Sequence, residues 1–165
     1  MAEVGRHFPR PLHAGIADAV LARAASEPHI TARPRRHLLR ALRDGRLVVA
    51  HEGTVVVGWF LSEPCGRGVH ELGFIFVEPA ARGDAVLLDL LDTALAIEPR
   101  AVAVTFRPGF ARWLIRARGF RRVSLGEVAR ISRGWFLLRR AAPSRLGIAL
   151  RRTGAAEAWY LVRDA

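Results

Sequence analysis

The sequence predicts a single α/β (α+β) domain whose mixed sheet is covered by helices on both faces. Three observations lead there. A valine-rich hairpin, residues 46–51 and 54–62 joined through Glu52-Gly53, runs into a strand–helix–strand unit at 71–77, 84–97 and 101–106. The element order is α, α, β, β, β, α, β, α, β, β, with a further short strand near 4–8, and a hairpin entering a strand–helix–strand unit implies a mixed sheet. The 165 residues are 51% apolar, with no Gly/Ser- or Pro-rich tract that would divide the chain into separate domains.

Each element has a local cause. Residues 16–26 and 37–44 place apolar side chains at helical spacing and stop near Pro28 and Gly45. The two hairpin strands are rich in β-branched residues, and Glu52-Gly53 suits a tight turn. Pro64, Gly66 and Gly68 make 63–69 a loop. The strand at 71–77 is broken by Pro79, and a helix follows the turn at Arg82-Gly83. Pro108-Gly109 ends the strand at 101–106, and a short helix at 110–117 stops at Gly119. Residues 121–125 and 158–163 supply the last strands.

Composition narrows the function classes. No apolar run reaches the roughly 18 residues a membrane-spanning helix needs, and the N-terminal stretch with Glu3, Arg6, His7 and Pro9 lacks the apolar core of a secretory signal. The one cysteine, Cys65, excludes an intramolecular disulfide and fits a reducing cytoplasm; in its Pro-Cys-Gly turn it is an incidental thiol. The six histidines are scattered without metal-ligand spacing, so no metal is expected. The net charge is +11, and all 26 basic residues are arginine, a bias that GC-rich codon usage produces. Its distribution is uneven: residues 106–152 hold 13 arginines against one acid, Glu127, a local +12. Such a region suits an anionic partner, a tRNA or an acidic surface.

The segment Glu71–Leu91, E-L-G-F-I-F-V-E-P-A-A-R-G-D-A-V-L-L-D-L-L, carries the most chemistry. A strand, a glycine-bearing basic turn and a helix N-terminus together can hold a pyrophosphate on backbone amides. Glu71, six residues before Val77 and on the same strand face by alternation, is a candidate general base. His70 points the other way and is expected to pack.

Three blocks resemble the GNAT superfamily of acyl-CoA-dependent N-acyltransferases: T-V-V-V-G-W-F in the hairpin, V-E-P-A-A-R-G-D-A-V-L-L-D-L-L, and F-A-R-W-L-I-R-A-R-G-F in the late helix. The resemblance is best over 46–123. It implies a mostly antiparallel central sheet, splayed at its middle by the strand of Glu71–Val77, and acetyl-CoA (or another acyl-CoA) as cosubstrate. It further implies that Val77 offers backbone to pantetheine and that Arg82, Gly83, Ala85, Val86 and Leu87 surround the pyrophosphate. The implied reaction is direct attack of a primary amine, from a small molecule or a protein, on the thioester, with Glu71 as base.

The segment departs from the family pattern at Asp84, a good helix N-cap that repels phosphate, and at Ala85 and Leu87, where glycines are usual. The late helix has Pro108 and Ile115 where asparagine and a proton-donating tyrosine are common; Ser124 and Tyr160 are substitute acids. Two competing readings follow: a noncatalytic binding or structural module of this fold, as some bacteriophage proteins look, and an arginine-rich nucleic-acid-binding protein. Within 128–150, Val128, Ile131, Trp135 and Leu138 recur at helical spacing between arginines, and Leu146, Ile148 and Leu150 alternate after Pro143. This is a basic helical insertion at about 126–153 before the last strand. It packs on the sheet, covers the acceptor entrance, or meets a partner, with Trp135 and Phe136 as a homodimer contact.

Overall fold

The structure, a computed structural model, describes residues 2–27, 30, 33–66, 68–81, 84–140 and 158–164. Among them lie seven strands and six α-helices, the predicted mixed α/β class. They fall into two compact units, Met1–Glu63 with Leu72–Ile97 and Pro64–Glu71 with Glu98–Ala165.

In the first unit β1 (Glu3–Gly5), β2 (Leu47–Glu52) and β3 (Val55–Pro64) run antiparallel in succession, with β4 (His70–Val77) beside β3. Glu78 N–H donates to the Val57 carbonyl at 2.8 Å and closes that pairing where β4 ends. The predicted hairpin turn is present, with Gly53 at φ 57. A register shift between Ala50 and His51 gives β2 an irregularity that no sequence signal announces.

Helices cover both faces of these strands. Helix α1 (Leu12–Ser26) buries His13, Ala17, Val20 and Ala24, one face at helical spacing. Helix α2 (Arg35–Arg43) buries Leu38, Ala41 and Leu42 and ends before Gly45, as its stop signal predicts. Both pack on Leu47, Val49, Trp59, Leu61 and Phe76. Helix α3 (Asp84–Leu95) approaches the other face, because the Cβ direction of Gly58, opposite in the pleat to Trp59, meets a Leu90 methyl at 3.2 Å and the Phe76 carbonyl at 3.1 Å. Only a residue without a side chain lets helix and strand come so close.

The second unit is built on β5 (Ala101–Thr105), β7 (Trp159–Arg163) and β6 (Arg121–Val123), with the last strand placed between the other two and antiparallel to both. Helix α4 (Pro108–Arg118) has proline in its first turn and ends at Gly119 with φ 67, a left-handed C-terminal stop. Helices α5 (Leu125–Ile131) and α6 (Trp135–Arg140) follow.

Sequence expectation and structure differ at three places here. Strand β6 stops at Val123, because Ser124 caps α5 by accepting from the Glu127 amide at 3.1 Å. The helical spacing through 128–138 is divided between α5 and α6, since Arg133 and Gly134 turn left-handed at φ 50 and 80. Phe136 is not a surface contact: it is fully buried with Cys65, Val69, Val102, Val128 and Val162, whereas Trp135 is exposed. The alternation of Leu146, Ile148 and Leu150 lies outside the described residues. No helix among the described residues is long and apolar enough to cross a membrane.

Candidate functional site

The segment singled out by sequence folds as strand, turn and helix. Val77 is buried at the end of β4, a 3-10 turn spans Pro79–Ala81, and α3 begins at Asp84. Helix geometry leaves the amides of the first turn without intrahelical acceptors, and the helix dipole makes that end electropositive. Ala85 is exposed there, while Val86 and Leu87 are half-buried. Leu90 and Leu91 are fully buried and anchor the helix. Arg82 and Gly83 lie outside the described residues. The turn is braced by Glu78, whose carboxylate meets Arg23 of α1 at 2.9 Å.

Midway along β4, Phe74 sits at φ 49, a left-handed conformation rare for a residue with a side chain. The preceding Gly73 could hold that conformation more easily, yet the strain falls on Phe74. Its ring lies 5.6 Å from Trp59 and beneath the Arg33 guanidinium at 5.5 Å, so packing holds it. Phe74 nevertheless lies within β4, which runs from His70 to Val77.

In the second unit His70 N–H donates to the Arg100 carbonyl at 3.1 Å. Glu71 is buried, with Arg139 Nη1 of α6 3.8 Å from its Oε2. Arg139 also donates to the Pro64 carbonyl at 2.9 Å. The candidate base is thus ion-paired to the basic helical segment, and an incoming ammonium would compete with a guanidinium for it. Among the substitute acids, Ser124 is engaged as a helix cap, and Tyr160 packs edge-on to Phe136 with ring centroids 6.2 Å apart. Cys65 is a buried cysteine in the core.

The fold has counterparts among solved structures. Rv2747 from Mycobacterium tuberculosis, in complex with CoA, matches with a TM-score of 0.67 at 17% identity, over 99% of this chain and 99% of that one. N-acetylglutamate synthase from Neisseria gonorrhoeae, complexed with coenzyme A and N-acetyl-glutamate, matches with 0.62 at 15% identity; 99% of this chain is covered but only 35% of the longer synthase. A GNAT-family acetyltransferase from Bacillus cereus matches with 0.57 at 18% identity, over 75% of this chain and 85% of that one. The fold is that of the GNAT acetyltransferases. No family model and no curated protein sequence matches the chain.

Within this GNAT fold, sequence reasoning missed one cluster. Glu63, read as the start of a loop, is a buried carboxylate near the end of β3. Arg33 Nη2 approaches it at 3.5 Å and His37 Nε2 at 2.9 Å, the latter off hydrogen-bonding alignment. Arg33 is the same side chain that covers Phe74. The strained residue of the GNAT β4 strand is therefore tied, through one guanidinium, to a buried Glu–His pair. No motif spacing links these residues, because helix packing alone brings them together.

Proposed function

We propose that the chain is a cytoplasmic GNAT-type N-acetyltransferase, moving an acetyl or other acyl group from an acyl-CoA to a primary amine by direct attack. The observation that carries this reading is the strand–turn–helix from His70 to Leu95 in a fold matched over its full length by CoA-bound structures. The residues present fit such a cosubstrate: α3 offers first-turn amides beside the exposed Ala85, and Val77 ends a strand in which Phe74 takes a left-handed backbone.

Acetyl-CoA, when bound, supplies the acyl group as a thioester. In this reading Ala85, Val86 and Leu87 hold its pyrophosphate through their amides, Arg82 and Gly83 preceding them in sequence contribute to the same site, and Val77 offers backbone to the pantetheine arm. Glu71 accepts a proton from the attacking amine. The new N–C bond forms as the C–S bond breaks, and the departing thiolate takes a proton from water. Backbone N–H groups near the β4 irregularity polarise the thioester carbonyl. The acceptor is a primary amine; the synthase neighbour, complexed with N-acetyl-glutamate, supports an amino-acid acceptor as the first to test.

A specific observation favours the second reading, a noncatalytic module. Glu71 already has a cationic partner in Arg139. The two readings separate in one experiment, in which thiol release from acetyl-CoA is followed with a panel of amino acids and polyamines. The enzyme reading expects amine-dependent release that Glu71→Gln slows by roughly a hundredfold without weakening acetyl-CoA binding. Acetyl-CoA binding with no amine-dependent release by the parent protein would establish the module instead.

A further inference from the structure

The second unit contains a pocket lined mainly by arginines, none of them among the residues assigned above to acyl transfer. Arg100, Arg121, Glu127, Arg130, Ile131 and Arg133 line an open cavity of about 310 Å³ in the second unit. Its floor is organised by ion pairs. Arg121 donates to Glu127 Oε1 at 2.7 Å and to Asp164 Oδ2 at 3.1 Å, so its guanidinium is fixed by two carboxylates. Arg100 Nε stands 3.9 Å from the same Asp164, and Arg130 Nη2 stands 4.0 Å from Glu127. Among the described residues, four guanidinium groups thus accompany two carboxylates, a local surplus of two positive charges.

The rim is built on a strained turn. Arg133 sits at φ 50 and Gly134 at φ 80, and the reversal is closed by Gly134 N–H donating to the Ala129 carbonyl at 2.7 Å. Glycine would hold the Arg133 position more easily, yet an arginine occupies it at the pocket edge. Arg130 is largely exposed, with only the long contact to Glu127 among the described residues. Four arginines thus line one space, with Arg121 held by two carboxylates and Arg130 left largely to solvent.

From this arrangement we propose that the pocket is a phosphate-binding site, taking a dianionic phosphate or pyrophosphate group. Surplus charge of two matches a dianion, and arginine forks match tetrahedral oxygens bidentately. Among the described residues the lining has a single apolar side chain, Ile131, and no aromatic one, a composition that favours an anion over a nucleobase. The volume lies at the low end of small-ligand sites, which suits a compact anion. The phosphate can belong to a free ester or to a nucleic-acid backbone crossing the basic surface; the chemistry at the pocket is the same.

Calorimetry of the full chain at low ionic strength tests this with sodium pyrophosphate and, separately, a single-stranded RNA homopolymer. Arg130→Gln/Arg133→Gly removes both rim guanidinium groups while keeping a helix-compatible residue and a left-handed glycine. Arg40→Gln/Arg43→Gln removes the same charge from α2. The site predicts saturable one-to-one pyrophosphate binding that the rim variant weakens about tenfold or more and the α2 variant leaves alone. RNA binding displaced by pyrophosphate and weakened by the rim variant also supports the site, with a backbone as the source. Absent binding of both probes, or equal weakening by both variants, overturns it. Should the double variant fail to fold, Arg130→Gln alone, at an exposed position, gives the same reading.

Discussion

Glu71 and Arg139 form a buried contact at 3.8 Å whose two members come from β4 and α6. Removing one member of a buried pair leaves the other without its compensating charge, which is worse than removing both. Arg139→Gln is therefore expected to lower unfolding free energy by about 1–3 kcal/mol, and Glu71→Gln/Arg139→Gln by less than Arg139→Gln alone. Urea unfolding of the four proteins of that cycle checks the order. At this scale the sequence was partly legible. Glu71 stood out because of its place before Val77, but its partner did not, since nothing in one strand's pattern points to a guanidinium on a distant helix. Glu63 and His37 were hidden for the same reason. Phe74 was misdirected by chemistry: Gly73 beside it is the residue expected to take a left-handed backbone, and ring packing overrode that preference.

Elements were the most legible scale. Helix α4 ended at Gly119 as its stop signal required, and the hairpin turned at Gly53. The failure at 128–138 is instructive, because apolar spacing continues through a turn that Ser132, Arg133 and Gly134 interrupt by backbone conformation alone. Two predictions belong here. Gly58→Val places branched carbons where the Phe76 carbonyl and a Leu90 methyl already stand at 3.1 and 3.2 Å. Overpacking of this kind costs about 1–3 kcal/mol, measurable as a lower thermal midpoint, whereas an unchanged midpoint would mean that α3 is not seated on β3. The second concerns α1 and α2, joined by the Asp18–Arg35 fork at 2.6 and 3.0 Å. The hydrogen bond from Arg35 holds the Asp18 carboxyl below its ordinary value. A carboxyl lowered in the folded state adds stability above its unfolded pKa and loses it as pH falls through the folded value. Asp18→Asn should thus lower the urea midpoint near neutral pH, by an amount that begins to fade below about pH 4 and vanishes once the folded carboxyl is protonated. A difference that grew on acidification would contradict the sign.

For the whole molecule, the order of elements was sufficient to reach the fold, although the chain shares only 15–18% identity with the three neighbours described. Fold-level likeness does not carry function by itself, because function lives in the site. At the end of β4 and the start of α3 the chain keeps a helix N-terminus, with Ala85 and Leu87 where the sequence resemblance implies glycines. The charge of residues 106–152 is a separate property, and the arginine pocket gives it a location. One titration bears most directly on the cosubstrate. Isothermal calorimetry with acetyl-CoA is expected to give one-to-one binding in the micromolar range, about −8 kcal/mol, weakened by Ala85→Asp, which sets a carboxylate among the first-turn amides. No heat at millimolar acetyl-CoA would contradict the account.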